Sequence, residues 1–238
     1  NLARALERKV IDEAFEEINT QSVGGADWVL IATPVATLPH ICRQLAPLLS
    51  APTIVSDVGS TKQSALAAFA EHLGAHLPRC VAAHPIAGSD RHGALAAQFG
   101  LYQDKKLIIC PHEQQDEGAL ETVEALWQAV GARTYRMSAA THDAIFAAVS
   151  HMPHMLAYAY VHQIAEHPDG QTYLDFAASG FRDFTRIASS HPAIWTDICI
   201  ANKDSLLYLL AGQQQALAYL QNLLQSNDAD ALYRYFEE

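Results

Sequence analysis

The stretch ADWVLIATPV, residues 26–35, is a continuous apolar run that stops at a Thr-Pro pair. Such a run, bounded by turn residues and without polar alternation, predicts a β-strand that is buried on both faces. The next segment, TLPHICRQLAPLL, has the periodicity of a helix. A strand followed by a helix is the unit from which parallel sheets are built, so this stretch favours an α/β fold.

The same alternation of strand and helix continues to about residue 137. Further strands are predicted in PTIVSDVGS (52–60), RCVAAHP (79–85), KKLIICP (105–111) and ARTYRM (132–137), and helices in STKQSALAAFAEHL (60–73) and EGALETVEALWQAVG (117–131). Ser60 or Thr61 is expected near the N-cap of the first of these helices. This order implies a parallel sheet with right-handed crossovers, which binds ligands at the carboxyl ends of its strands. We expect that edge to hold Thr33, residues 57–60 and His84.

The remainder of the chain has helical periodicity, few glycines and no strand alternation. We therefore predict two domains, a Rossmann-type domain over residues 1–137 and an all-helical domain over residues 138–238. Within the second, DSLLYLLAGQQQALAYLQNLLQ (204–225) has an apolar face too wide for a simple surface helix. It is expected to be a buried core helix, and contact with a second subunit is compatible with that expectation and explains the width better.

Composition narrows the class of protein. The chain has 238 residues, a formal charge of -11, 50% hydrophobic and 17% charged residues. The acidic balance argues against a nucleic-acid partner, and neither a membrane-spanning run nor a secretion signal is present. The cysteines are scattered, which predicts reduced, mostly buried thiols of a cytoplasmic protein. They are Cys42, Cys80, Cys110 and Cys199.

One element of a dinucleotide-binding fold is not found. The chain opens on NLARALERKV, which has a helical pattern, and no G-x-G-x-x-G precedes the first strand. Gly24 and Gly25 come before a strand rather than after one, so they do not form a phosphate loop. We expect the N-terminal βαβ part of the fold to be missing from these residues.

Two histidine-containing segments could carry chemistry. Ser60 and His84 follow two neighbouring predicted strands, where an uncharged imidazole near a hydroxyl can act as a general base. A serine hydrolase would need G-x-S-x-G, which DVGSTK lacks. In SHMPH (150–154), His151 and His154 share one helical face, and Pro153 would free a carbonyl near Val149. Structural histidines remain an alternative for both segments, whereas zinc lacks an acidic third ligand at a familiar spacing.

The segment SGFRDFTRIASSHPAIW (179–195) contains two arginines in a chain that is poor in cations. Arg182 and Arg186, four residues apart, share one helical face and suit a carboxylate, which guanidinium binds bidentately. A solvated face with an Asp183–Arg186 ion pair is the simpler alternative.

With these segments side by side, the sequence resembles the prephenate/arogenate dehydrogenase family of tyrosine biosynthesis. The matching pieces are ATPV (32–35), DVGSTK (57–62), HPIAGSD (84–90), SHMPH (150–154) and GFRDFTRIASSHPAIW (180–195). The resemblance implies a Rossmann-type domain followed by a helical domain that forms a homodimer. It also implies oxidation of the ring hydroxyl of a cyclohexadiene acid with loss of carbon dioxide, and NAD or NADP as the cofactor.

The resemblance also implies roles by position. His84 would accept the hydroxyl proton, Ser60 would hydrogen-bond the same hydroxyl, and Arg186 would anchor a substrate carboxylate. The side-chain end of the pocket would be shaped by His151, His154, Arg182 and Trp195. The nicotinamide side of the cofactor would be lined by Thr33, Pro34, Val35 and Asp57. Asp90 stands where many relatives carry glutamate. Independently of position, the product resembles the substrate, which makes tyrosine a candidate feedback inhibitor that the sequence does not establish.

Two rival hypotheses remain at this point. A non-catalytic module that binds an aromatic acid such as tyrosine would explain the missing glycine-rich loop. An unrelated β-hydroxyacid dehydrogenase would need a catalytic lysine in the helical domain, and Lys203 is the only lysine there.

Overall fold

The computed structural model describes residues 2–88 and 93–237. The chain divides into two compact units. We call residues 1–145 with 189–201 the sheet unit, and residues 146–188 with 202–238 the helical unit. These units are defined by internal contacts and do not test the domain boundary predicted after Met137, which stays a prediction.

The sheet unit is built on a five-stranded sheet in the order β1-β2-β3-β4-β5. The strands are β1 (Trp28–Ile31), β2 (Ile54–Asp57), β3 (Cys80–Pro85), β4 (Lys106–Cys110) and β5 (Arg133–Arg136). All five lie inside the segments predicted as strands, and the α/β class is confirmed. The predicted parallel sheet is found with one exception: β4 runs antiparallel to β3, while the other neighbouring pairs are parallel.

The antiparallel pair has a simple physical origin. Parallel neighbours need a crossover connection, which is usually a helix. Between β3 and β4, the described residues contain only a short 3-10 turn at Ala94–Ala96. The chain therefore returns alongside β3 in the opposite direction, with His84 opposite Ile108.

The helices of the chain flank and follow this sheet. They are α1 (Leu2–Glu7), α2 (Thr20–Val23), α3 (Leu38–Leu45), α4 (Gln63–His72), α5 (Glu117–Ala129), α6 (Ala139–Phe146), α7 (Met152–Ala165), α8 (Gly170–Asp175), α9 (Ser179–Thr185), α10 (Pro192–Ala201), α11 (Lys203–Ser226) and α12 (Ala229–Glu237). Beyond β5, the described residues form helices and turns without a strand, so the predicted helical C-terminal region is confirmed.

The core of the sheet unit lies between the central strands and α5. Side chains from β2, β3 and β4 pack there against Leu120, Val123 and Trp127 of α5. The prediction that the first strand is buried on both faces is wrong: β1 is an edge strand, and Leu30 is 40% exposed. Cys42, Cys80 and Cys110 are buried free thiols, as predicted.

In the helical unit, the long helix α11 is not the buried core helix that its apolar face predicted. Among its residues only Leu206 and Leu223 are buried. Large apolar side chains on the rest of the helix are exposed, namely Leu207, Tyr208, Leu217, Tyr219 and Leu224. The width of the apolar face is therefore not explained by burial within this chain.

Candidate active site

The first three strands run parallel, so their carboxyl ends share one edge of the sheet, as predicted. A small cleft opens at this edge. It is lined by Ile31, Thr33, Val35, Leu38, Asp57, Gly59 and Thr61. Three of the four predicted cofactor residues therefore lie around one cleft, and the fourth, Pro34, is an exposed neighbour of Thr33 in the same turn. The cleft combines apolar walls with the hydroxyl groups of Thr33 and Thr61 and the carboxylate of Asp57.

Asp57, at the end of β2, is 2% exposed and its carboxylate is bonded within the protein. Oδ2 accepts hydrogen bonds from Lys62 Nζ at 2.5 Å and from the Gly59 amide at 2.9 Å, and Oδ1 accepts one from the Ala83 amide at 3.1 Å. Lys62 Nζ also donates to the Ala83 carbonyl at 2.6 Å. This ion pair ties the turn after β2 to the residue that precedes His84.

His84 is held by a second chain of hydrogen bonds. Its Nδ1 lies 2.8 Å from Nε2 of His142, and Nδ1 of His142 lies 2.7 Å from Oδ1 of Asp143. His142 and Asp143 belong to α6 and are completely buried, whereas His84 is half-buried. A half-buried imidazole in front of two buried polar groups is placed to exchange protons on one side and to be oriented on the other.

Asp143 also holds the start of α4. Its Oδ1 accepts the Lys62 amide at 2.8 Å and its Oδ2 accepts the Gln63 amide at 2.9 Å. Ser60 and Thr61 lie near the N-cap of α4, as expected, but Lys62 is the cap residue itself and its side chain makes no capping bond. A carboxylate 80 residues further along the chain satisfies the orphan amides instead.

Burial alone would raise the pKa of Asp143. The hydrogen bond from His142 and those from the two backbone amides outweigh burial, so the net pKa lies below its usual range. Asp143 is therefore an anion at neutral pH, fixed at the N-terminus of a helix whose dipole stabilises negative charge.

In the helical unit, the two predicted histidines flank a change of helix type. Residues Ala147–His151 form a π-helical turn, and Pro153 stands in the first turn of α7 rather than in a helix interior. Such π-helical turns occur frequently at functional sites.

His151 and His154 are held differently within this unit. His151 is 1% exposed, and its Nδ1 lies 3.2 Å from the side-chain nitrogen Nδ2 of Asn202. His154 donates from Nδ1 to the Ser150 carbonyl at 2.9 Å. Burial lowers the pKa of His154, the carbonyl opposes that shift, and the charge of Arg186 adds to it. Asn202 was not predicted from the sequence.

Arg182 and Arg186 lie one helical turn apart at the end of α9. The Arg186 amide donates to the Arg182 carbonyl, and both side chains are exposed. The aromatic residues between them pack on α7, where Tyr160 contacts Phe181 and Phe184. The same unit thus holds both arginines and both predicted histidines.

Trp195 belongs to the sheet unit, although it follows the arginines in the sequence. It lies half-buried on α10, which packs against the turn Val35–Thr37 after β1. Asp197 on the same helix accepts a hydrogen bond from the Ala36 amide at 3.4 Å. Ser60, the other predicted catalytic residue, is half-buried in the turn between β2 and α4, and Asp90 lies outside the described residues.

Three residues of this site were not predicted: Lys62, His142 and Asp143. Lys62 is part of DVGSTK, and its only sequence signal is a lysine within a turn that follows a buried strand. The sequence signal for His142 and Asp143 is that they form a His-Asp pair within the otherwise apolar segment SAATHDAIFAAV.

Among residues 2–88 and 93–237, no group of three or more His, Cys, Asp or Glu side chains is placed to hold a metal ion. None of the described helices is long and apolar enough to cross a membrane.

Rossmann-type sheets bind nucleotides at this edge, and a histidine fixed there can exchange a proton while a nicotinamide exchanges a hydride. The sheet unit therefore has the character of a nucleotide-dependent dehydrogenase. Residues 1–136 match the nucleotide-binding domain of prephenate dehydrogenase, and residues 138–238 match its dimerization domain. The chain belongs to the prephenate dehydrogenase family.

Individual relatives agree with this assignment. A cyclohexadienyl dehydrogenase of Zymomonas mobilis is 32% identical over 99% of this chain and 80% of its own length. A prephenate dehydrogenase of Bacillus subtilis is 35% identical over 98% of this chain, which spans 63% of that protein. The crystal structure of prephenate dehydrogenase from A. aeolicus with hydroxyphenyl propionate and NAD+ has a TM-score of 0.92 at 32% identity, covering 99% of this chain and 82% of that one.

Neither rival hypothesis gains support. Nothing in these comparisons favours a non-catalytic tyrosine-binding module. Whether the N-terminal βαβ part is missing stays a prediction.

Proposed function

We propose that the protein is an NAD- or NADP-dependent dehydrogenase that oxidatively decarboxylates prephenate, arogenate or both in tyrosine biosynthesis. The products are 4-hydroxyphenylpyruvate from prephenate and tyrosine from arogenate. The observation that carries the proposal is the family match over both parts of the chain, combined with a half-buried histidine at the carboxyl edge of the sheet.

The reaction requires from the protein mainly a general base and side chains that bind the carboxylates of the substrate. His84 takes the proton of the ring hydroxyl, and Ser60 hydrogen-bonds that hydroxyl. The nicotinamide, when bound, supplies the acceptor for the hydride that leaves the same ring carbon. The ring then loses its carboxylate as carbon dioxide and becomes aromatic, and the proton held by His84 returns to the phenolic oxygen. Positioning and one general base are sufficient, because aromatisation drives the reaction.

The remaining predicted residues bind and orient. Arg186 anchors a carboxylate of the substrate, and its partners in shaping the side-chain end are His151, His154, Arg182 and Trp195. Thr33, Pro34, Val35 and Asp57 line the nicotinamide side of the cofactor. Asp57 contributes there through its fixed position, because its carboxylate oxygens already accept hydrogen bonds from Lys62 and from backbone amides.

Assembly and regulation form part of the proposal. The protein forms a homodimer through its helical domain, a proposal supported by the match to a dimerization domain and by the exposed apolar side chains of α11. Tyrosine acts as a feedback inhibitor because it resembles the substrate. A cytoplasmic location is part of the proposal, supported by four free cysteines, of which three are buried and Cys199 is half-buried.

The test follows cofactor reduction with prephenate or arogenate and with NAD or NADP. His84→Asn is expected to lower kcat by about 10²–10⁴-fold, the usual contribution of a general base. His40→Asn, at an exposed histidine of α3, is the matched control and should leave kcat unchanged. A wild-type protein that binds tyrosine but reduces neither cofactor with either substrate would overturn the proposed function.

Arg186→Ala separates anchoring from chemistry. Loss of a charge-assisted hydrogen bond, worth roughly 1.5–3 kcal/mol, is expected to raise KM by about 10- to 100-fold with little change in kcat. A fall in kcat at unchanged KM would contradict the anchoring role.

A further inference from the structure

We propose that His142 and Asp143 are positioning residues that fix the tautomer of His84 and leave its Nε2 as the nitrogen that takes the substrate proton. This inference rests on the proposed function, because it concerns the base of that reaction. It adds two residues, neither of which was predicted from the sequence, and one specific atom.

The fixed end of the chain of hydrogen bonds is Asp143. Its carboxylate receives the Lys62 and Gln63 amides at 2.8 and 2.9 Å. These amides begin α4, a ten-residue helix, so their hydrogens point at the carboxylate whatever the state of the substrate. Asp143 therefore stays ionised and acts only as an acceptor.

Proton positions follow from this fixed acceptor. Because the carboxylate can only accept, the proton of neutral His142 sits on Nδ1, which faces Asp143 at 2.7 Å. Nε2 of His142 then carries a lone pair and accepts from Nδ1 of His84 at 2.8 Å. His84 is thus protonated on Nδ1, and its basic lone pair lies on Nε2.

Among the described residues, two ionisable neighbours of this hydrogen-bond chain, Lys62 and Cys110, do not reverse this order. Lys62 directs its ammonium to Asp57 and to the Ala83 carbonyl, so its charge is balanced by a different carboxylate. Burial raises the pKa of the Cys110 thiol to about 12, which keeps that neighbour neutral. When His84 accepts a proton, the negative charge of Asp143 stabilises the new imidazolium through His142, as in other histidine–carboxylate pairs.

The variants act on His142, because replacing Asp143 would also disturb the start of α4. His142→Leu fills the space but accepts no hydrogen bond, so His84 is free to place its proton on Nε2. His142→Gln keeps an acceptor oxygen near the position of the ring Nε2. We expect kcat of the leucine variant to fall about 10²-fold at nearly unchanged KM, within the range of a general-base contribution. The glutamine variant should recover most of that loss.

The control is His112→Leu. His112 is also a half-buried histidine of the sheet unit, but it bonds to the Cys80 carbonyl at the opposite end of β3. This substitution should leave both kcat and KM unchanged. A general loss of packing would lower activity in both leucine variants and would not be reversed by glutamine.

A second measurement does not depend on turnover. Long-range proton–nitrogen correlation spectra of the intact protein with ¹⁵N-labelled histidine report which ring nitrogen carries the proton. The His84 signals, assigned with His84→Asn, are expected to show a protonated Nδ1 in the wild-type protein and a mixture of tautomers in His142→Leu.

The outcomes separate the two proposals. If the wild-type protein shows no turnover but His84 carries its proton on Nδ1 and changes in His142→Leu, the positioning role stands and the proposed function falls. If the wild-type protein is active and His142→Leu retains kcat within about twofold, far less than a base contributes, the positioning role is overturned. A His84 protonated on Nε2 in the wild-type protein also overturns it.

Discussion

The buried ion pair between Lys62 and Asp57 allows a sharp prediction of stability. Its N–O distance is 2.5 Å, and the two side chains are 0% and 3% exposed. Lys62→Met preserves most of the apolar stem but removes the charge, which leaves the Asp57 carboxylate buried with two backbone amides as donors. Removing one partner of a buried pair typically costs about 3–5 kcal/mol.

The measurement is the free energy of unfolding of the intact protein from denaturant titration, with the thermal midpoint alongside. A loss of this size corresponds to a fall in the thermal midpoint of roughly 6–20 °C for a chain of this length. A double-mutant cycle with Asp57→Asn should show coupling, because the second substitution removes a charge that the first has already left unpaired.

The control is a pair of the same length at the surface. Arg133 and Asp104 also approach to 2.5 Å, but their side chains are 65% and 64% exposed. Asp104→Asn should leave the unfolding midpoint unchanged within error, since water screens such a pair. Equal losses for Lys62→Met and Asp104→Asn would refute the reasoning, because the predicted difference rests on the burial of the first pair and the exposure of the second.

Three further predictions concern other parts of the chain. Because the pKa of Asp143 is lowered in the folded state, its stabilising effect is fully present above its ordinary value of 3.8 and is lost as the pH falls through the lower folded value. In denaturant titrations, the stability difference between wild type and Asp143→Asn should therefore shrink as the pH is lowered below 3.8. Gly131→Ala should cost about 1–3 kcal/mol in the same assay, because Gly131 has a φ of +92° and the new Cβ would lie 3.1 Å from Gln103 Cα. Leu217→Glu, on the exposed face of α11, should shift the protein from dimer to monomer in light scattering, whereas Val130→Glu, equally exposed but outside that helix, should not.

The strands and helices near the site were predictable because their signal is local. Apolar runs located the first four strands, the fifth was expected after the helix that follows them, and the change of periodicity located the helical region. The direction of β4 was not predictable in this way, because direction depends on what connects two strands. The segment after β3 contains too little helix, among its described residues, for a parallel crossover.

The residues of the candidate site show the same contrast between local signals and contacts that depend on tertiary packing. His84 stands at the end of a strand, so position along the chain was enough to indicate its place at the sheet edge. His142 stands 58 residues away, and its bond to His84 depends on how α6 packs, which no local pattern encodes. The N-cap of α4 was expected near Ser60 or Thr61 and lies at Lys62, but the group that caps it was not predictable for a related reason. A distant carboxylate competes with local hydroxyls for the same amides, and here the charged group makes the bonds.

Lys62 connects the two hydrogen-bond systems around His84. Its backbone amide donates to Asp143, which orients His84 through His142, and its ammonium donates to Asp57 and to the carbonyl of Ala83, the neighbour of His84. Lys62 therefore contacts both the carboxylate that is bonded to His142 and the strand that carries His84. A shift of Lys62 would move the backbone of β3 and the carboxylate that orients the base together. The position of His84 relative to the sheet edge is therefore coupled to the start of α4 through the backbone amide and the ammonium of one buried lysine.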